Sequence, residues 1–148
     1  MVEIEKYKPE HLDQIREMGL RVEIDRKTID EDPEQWKMIA ERSDAQSVFV
    51  NGDILCSGGV FMLREGFGEA WLVCSILVYI YPSILYRVAK RYLDKIIRDR
   101  NLHRVQATPS TTWPTGYKFV ERLGFQIEGV LRKYGSQQED CYMYGRIM

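Results

Sequence analysis

The residues whose types could do chemistry are few, and their spacing excludes more reactions than it suggests. Cys56, Cys74 and Cys141 are an odd, widely separated set without a C-x-x-C pair. Such a set builds neither a disulfide framework nor a zinc site and suits a reducing cytoplasm, so no metal is expected. Ser57-Gly58-Gly59 lacks the Gly-x-Ser-x-Gly spacing and the strand–turn–helix setting of a nucleophile elbow. Cys74 lies in an apolar run with no basic residue near it in sequence, which reads as a small core hydrophobe. His11 and His103 fall on a surface helix and at a strand start, with nothing to mark either as a base. Residues 87–104 carry seven Lys and Arg against two Asp. A solvated helix face is the default for such a run, and bound phosphates or an acidic partner are the sharper readings.

The elements that must position these groups can be read from periodicity. At 148 residues the chain is expected to form a single domain, 1–148, with 45% apolar and 29% charged residues in the globular range. Twenty-one basic and 22 acidic side chains nearly cancel, which removes the electrostatic case for a nucleic-acid partner. Met1 to Lys6 has no signal-peptide character. Ala70 to Tyr86 is a run of 17 uncharged residues, shorter than the ~20 a spanning helix needs, β-branched and broken by Pro82. It reads as a buried strand to about Tyr81 and a helix start, so no membrane is expected. Alternation predicts strands at 2–7, 47–50, 54–63, 103–107, 125–131 and 141–147 besides this one. Helices are predicted from Pro9, from Pro33 with Asp32 as N-cap, over 83–100 with Ser83 as N-cap, and over 115–123 with Gly124 ending it. Asn51-Gly52 marks a tight hairpin, and residues 20–32 read as irregular or weakly helical. The order β-α-α-β-β-β-α-β-α-β-β implies an α+β fold: a mixed, mostly antiparallel sheet of about seven strands flanked by helices.

This order resembles the GNAT fold of the Gcn5-related N-acyltransferases. The segment Leu102 to Ala107, followed by Lys118-Phe119-Val120-Glu121-Arg122-Leu123-Gly124-Phe125 and then Glu128-Gly129 and Arg132, is closest to the branch that acetylates ribosomal-protein and other N-termini. Asp140 to Arg146 resembles the closing strand of that branch. The resemblance implies transfer of acetyl from acetyl-CoA to an amine, either a small molecule or a protein N-terminus. It implies that Ile76, Leu77 and Val78 offer a strand edge to the pantetheine arm, and that Ser83, Ile84, Leu85, Tyr86 and Arg87 meet the pyrophosphate at a helix N-terminus.

The match departs from the family at three places. No glycine lies between Glu69 and Arg100, where the family has a glycine-bearing phosphate loop. Trp113 and Gly116 stand where the N-terminal acetyltransferases have Asn and Ser. Val120 stands where many members have a Tyr that protonates the leaving thiolate; Tyr117, one helical turn away, is the substitute. Glu69, at the head of the long strand, is the best-placed carboxylate for a base, with a solvated hairpin Glu as the alternative. Glu128 is expected to orient Arg132. A weaker resemblance, through Trp71, Lys90-Arg91-Tyr92 and Lys118-Phe119, is to short GNAT-like proteins of tailed phages. Two readings therefore stand: an acetyltransferase, or a catalytically degenerate GNAT-fold binding or assembly protein with a virion protein or a second copy (a homodimer) as partner.

Overall fold

A computed structural model describes residues 1–21 and 32–148, so the stretch read as irregular or weakly helical falls, but for its ends, outside the described residues. Among the described residues seven strands, β1 (Val2–Lys6), β2 (Asp44–Val50), β3 (Asp53–Arg64), β4 (Phe67–Cys74), β5 (Arg104–Ala107), β6 (Gln126–Leu131) and β7 (Cys141–Ile147), form one sheet in the order β1-β2-β3-β4-β5-β7-β6. Strands β4 and β5 run parallel, whereas the β1–β2, β2–β3, β5–β7 and β6–β7 pairs are antiparallel. Helices α1 (Glu10–Met18), α2 (Pro33–Glu41), α3 (Pro82–Asp99) and α4 (Pro114–Arg122) flank it, as the α+β reading predicts. The contacts group into two units, one of Met1–Phe61 with Trp71–Leu85 and one of Met62–Ala70 with Tyr86–Met148.

In the first unit, Leu12 and Ile15 of α1 and Ala40 of α2 are buried with Tyr7, Ala45, Ile54 and Val73. Asp32 caps α2, its Oδ1 accepting the Gln35 N–H at 3.1 Å, with Pro33 at the first helical position. Asn51 and Gly52 both take positive φ (52° and 88°), the geometry a two-residue hairpin needs to follow strand twist. The long apolar strand predicted to Tyr81 ends earlier, at Cys74, and Ile76–Tyr79 form a 3-10 turn. Ser75, fully buried, makes that change of direction: its hydroxyl donates to Ile54 O at 2.7 Å and accepts the Leu77 N–H at 3.3 Å. Helix α3 then starts at Pro82 rather than with Ser83 as cap, because Pro suits a position whose N–H has no acceptor. The uncharged run is thus divided among strand, turn and helix, and no helix among the described residues is long and apolar enough to cross a membrane.

In the second unit, α4 ends at Gly124, whose φ of 95° favours glycine, and Phe125 returns at once to the core. Arg146 of β7 fixes both helices here. Its guanidinium donates to Leu123 O at 3.1 Å and to Asp94 of α3 at 2.9 Å. Burial pushes the Asp94 carboxyl up, but hydrogen bonds from Arg146 and Lys90 outweigh it and hold the group below its usual range.

Candidate active site

The parallel ladder between β4 and β5 is three pairs long, Phe67↔Arg104, Gly68↔Val105 and Glu69↔Gln106, while β4 runs on to Cys74. Strand alternation places Phe67 and Glu69 on one face beside Arg104 and Gln106, with Val105 and Ala107 buried on the other. Along that first face runs a hydrogen-bonded polar row. Gln106 Nε2 donates to Glu69 Oε1 at 3.1 Å, and Arg104 Nη2 donates to Gln106 Oε1 at 3.3 Å. Arg104 also grips both oxygens of Glu128 at 2.8 Å each, and its guanidinium lies 5.6 Å from the centroid of the Phe67 ring. These bonds hold the Glu128 carboxyl below the usual carboxylate range.

Glu128 therefore serves Arg104 and not Arg132 as expected. A bulge in β6 between Ile127 and Gly129 breaks simple alternation at this residue, and the intervening strand position on β7 is Gly145. A Cβ at Gly145 would overlap Glu128 Oε2 and come within 2.8 Å of Arg104 Nη1.

Tyr117 stands on the opposite face of the sheet. Its ring meets that of Tyr142 edge-on at 5.3 Å, and Tyr142 meets Tyr144 at 6.1 Å. The Tyr144 hydroxyl donates to Glu121 of α4 at 3.1 Å, and burial, then this bond, push its phenol up to about 12. Tyr117 and Glu69 are thus not brought together within the sheet's polar row. Trp113, at the start of α4, lies against Gly116, where a Cβ would overlap its ring, so both departures from the family's Asn and Ser are parts of one packing pair.

The predicted ligand-binding run divides in two. The amides of Ile76, Leu77 and Val78 bond Gly19 O (2.8 Å), Ser75 Oγ (3.3 Å) and Ser75 O (3.2 Å), so these residues offer no strand edge to a ligand. That expectation is corrected because the strand ends at Cys74. At α3 the first intrahelical bond runs from Leu85 N–H to Tyr81 O at 3.3 Å, so the Ser83 and Ile84 amides precede it and have no helical acceptor. Ser83 and Arg87 are exposed, Ile84 is half-buried and Leu85 is buried in the core. Tyr86 carries the Arg122 guanidinium over its ring at 4.3 Å and donates to Arg122 O at 3.3 Å.

Three arrangements escape a reading of the sequence. His11 is only 3% exposed and not a surface residue; its Nδ1 accepts the Lys8 N–H at 3.1 Å and lies 2.7 Å from Ser47 Oγ. Cys74, with no basic neighbour in sequence, receives Arg21 Nη1 at 3.2 Å from 53 residues away. Gln106 and Arg104 give one local signal only, two polar residues alternating with buried Val105 and Ala107.

No protein-family model matches the chain, and no curated protein matches it in sequence. Solved structures do match it in three dimensions. The ribosomal-protein-S5-alanine acetyltransferase of Vibrio fischeri superposes with a TM-score of 0.69 at 17% identity, over 99% of this chain and 92% of that one. A chimera of the spermidine N-acetyltransferase of Vibrio cholerae and hSSAT gives 0.75 at 14% identity, over 99% and 95%. A GNAT-family acetyltransferase of Bacillus anthracis gives 0.73 at 17% identity, over 99% and 94%. At such identities the likeness establishes the fold: the chain has the architecture of the GNAT acetyltransferases, from end to end.

Proposed function

We propose that the chain is an acetyl-CoA-dependent N-acetyltransferase whose acceptor is an amine, on a small molecule or a protein N-terminus. The observation that carries this reading is Glu69, a half-buried carboxylate held as a hydrogen-bond acceptor at the last pair of a parallel ladder beyond which β4 continues alone in that pairing. Backbone of β4 past Glu69 suits pairing with the amides of a pantetheine arm. The first turn of α3 fits a diphosphate: the Ser83 and Ile84 amides lead the helix, Ser83 is exposed with a short side chain, and Arg87 adds charge one turn on. Acetyl-CoA supplies an activated acyl group. Glu69 accepts the proton that the acceptor ammonium must lose before its nitrogen can form the new C–N bond. As the C–S bond breaks, the thiolate would have to leave toward the α4 face of the sheet, opposite Glu69, where the Tyr117 phenol gives it a proton that solvent restores.

Free buried cysteines and an anionic thioester substrate both suit a cytoplasmic setting. The test is ligand-dependent stability. Acetyl-CoA at a hundredfold excess over its dissociation constant should stabilise the protein by ~2.7 kcal/mol and raise Tm in proportion to its logarithm. In turnover assays Tyr117→Phe should lower kcat and leave acetyl-CoA affinity unchanged. A Tm that ignores millimolar acetyl-CoA and CoA would leave a GNAT scaffold used for assembly, with a virion protein or a second copy as its partner.

A further inference from the structure

We infer that Gln106 is a positioning residue for Glu69, kept in one amide orientation by an Arg104–Glu128 clamp that crosses β7 over Gly145. The inference rests on the reading of Glu69 as the proton acceptor. A glutamine amide can present either its oxygen or its nitrogen to a neighbour, and only the nitrogen supports a carboxylate. Here Nε2 faces Glu69 Oε1 at 3.1 Å and Oε1 faces Arg104 Nη2 at 3.3 Å. A flip would set oxygen against carboxylate and NH2 against guanidinium, two unfavourable pairs at once. Arg104 therefore decides which end of the amide Glu69 meets.

Arg104 is itself immobilised. Both its terminal nitrogens bond Glu128 at 2.8 Å, a fork-to-fork pair that fixes the guanidinium plane, and Phe67 lies under it. The pair joins β5 to β6 across the whole width of β7, and it passes there because residue 145 has no side chain. Glu128 is exposed, and an ion pair at such a surface adds little stability. The packing of β5 is meanwhile secured on its other face by Val105 and Ala107. What the clamp accomplishes lies at its Gln106 end: a donor of fixed direction for the Glu69 carboxylate.

Steady-state acetyl transfer from acetyl-CoA to an alanyl peptide and to spermidine tests this, alongside 15N–1H spectra of the Gln106 side-chain amide. Gln106→Leu and Arg104→Met should each lower kcat about tenfold with the KM for acetyl-CoA unchanged. Gly145→Ala, which removes no member of the row, should lower kcat by dislodging the clamp. Glu128→Gln, which leaves the guanidinium one acceptor and turns an NH2 against its other nitrogen, should lower kcat as well. The Gln106 amide protons should exchange slowly in the wild type and faster in Arg104→Met and Gly145→Ala. Unchanged kcat in Gln106→Leu beside a crippled Glu69→Gln would overturn the positioning role, and so would amide exchange indifferent to Arg104. Equal rates for Glu69→Gln and wild type, or no transfer by the wild type to either amine, would instead sink the reading of Glu69 and the role with it.

Discussion

His11 shows how a single buried group couples this fold to pH. The Lys8 N–H donates to its Nδ1 at 3.1 Å, and the Ser47 hydroxyl lies 2.7 Å from the same nitrogen. Ser57, 2.7 Å from Ser47, completes a buried chain that ends on a neutral imidazole. Burial lowers the His11 pKa, with Lys8 adding to the effect and Glu5 and Glu10 opposing it. The unfolded chain thus binds a proton more readily than the folded one. Stability should be fully present above about pH 6.5 and fall as pH drops below it, by up to ~1.4 kcal/mol per pH unit. Urea unfolding between pH 8 and 5 would measure this, and His11→Gln should flatten the profile. A profile of the same steepness in that variant would assign the acid sensitivity elsewhere.

At the scale of the element, the end of β4 carries the architecture. The strand does not stop for want of β-forming residues, since Ile76, Leu77 and Val78 are good ones. It stops because the Ser75 hydroxyl bonds Ile54 O and the Leu77 amide, and because Gly19 O takes the Ile76 amide at 2.8 Å. Ser75→Ala strands a buried carbonyl and an amide, and should cost about 1–3 kcal/mol in denaturant unfolding. A loss within experimental error would mean that sterics alone turn the chain. Glycines act at the same scale by close approach. At Gly59 of β3 a Cβ would lie 2.7 Å from Asp44 O, a backbone atom that cannot swing aside, whereas the groups crowding Gly145 are side-chain tips. Gly59→Ala should therefore be the more destabilising of the two, which parallel thermal melts would rank.

Over the whole molecule, near-neutrality conceals a division of charge. The unit of Met1–Phe61 and Trp71–Leu85 carries 14 acidic and eight basic side chains, and the other unit carries eight acidic and 13 basic. Arg87 and Arg91, both exposed on α3, belong to the basic one. If phosphates bind at the start of that helix, acetyl-CoA affinity should weaken several-fold as ionic strength rises from about 0.05 to 0.5 M, since screening shortens the Debye length. Calorimetric titrations at the two salt concentrations would show it. Salt-independent binding would exclude Arg87 and its neighbours from the ligand's phosphates.

The sequence by itself determined the element order, the class of fold and most turns, because these rest on local physics. Asp32-Pro33 starts a helix, Asn51-Gly52 closes a hairpin, Gly124 ends a helix, and alternation marks strands whichever way the chain later folds. It also singled out Glu69, as a carboxylate at the head of a long apolar strand. Only the tertiary structure decided where that strand ends, what holds Glu69, and that His11 is buried. Each of these depends on groups distant in sequence: Ser75 with Ile54, Gln106 with Glu69, Glu128 with Arg104 over Gly145, Ser47 with His11. Hydrogen bonds between residues 21 to 37 apart leave no periodicity to read; they exist once strand order and register have set the partners side by side.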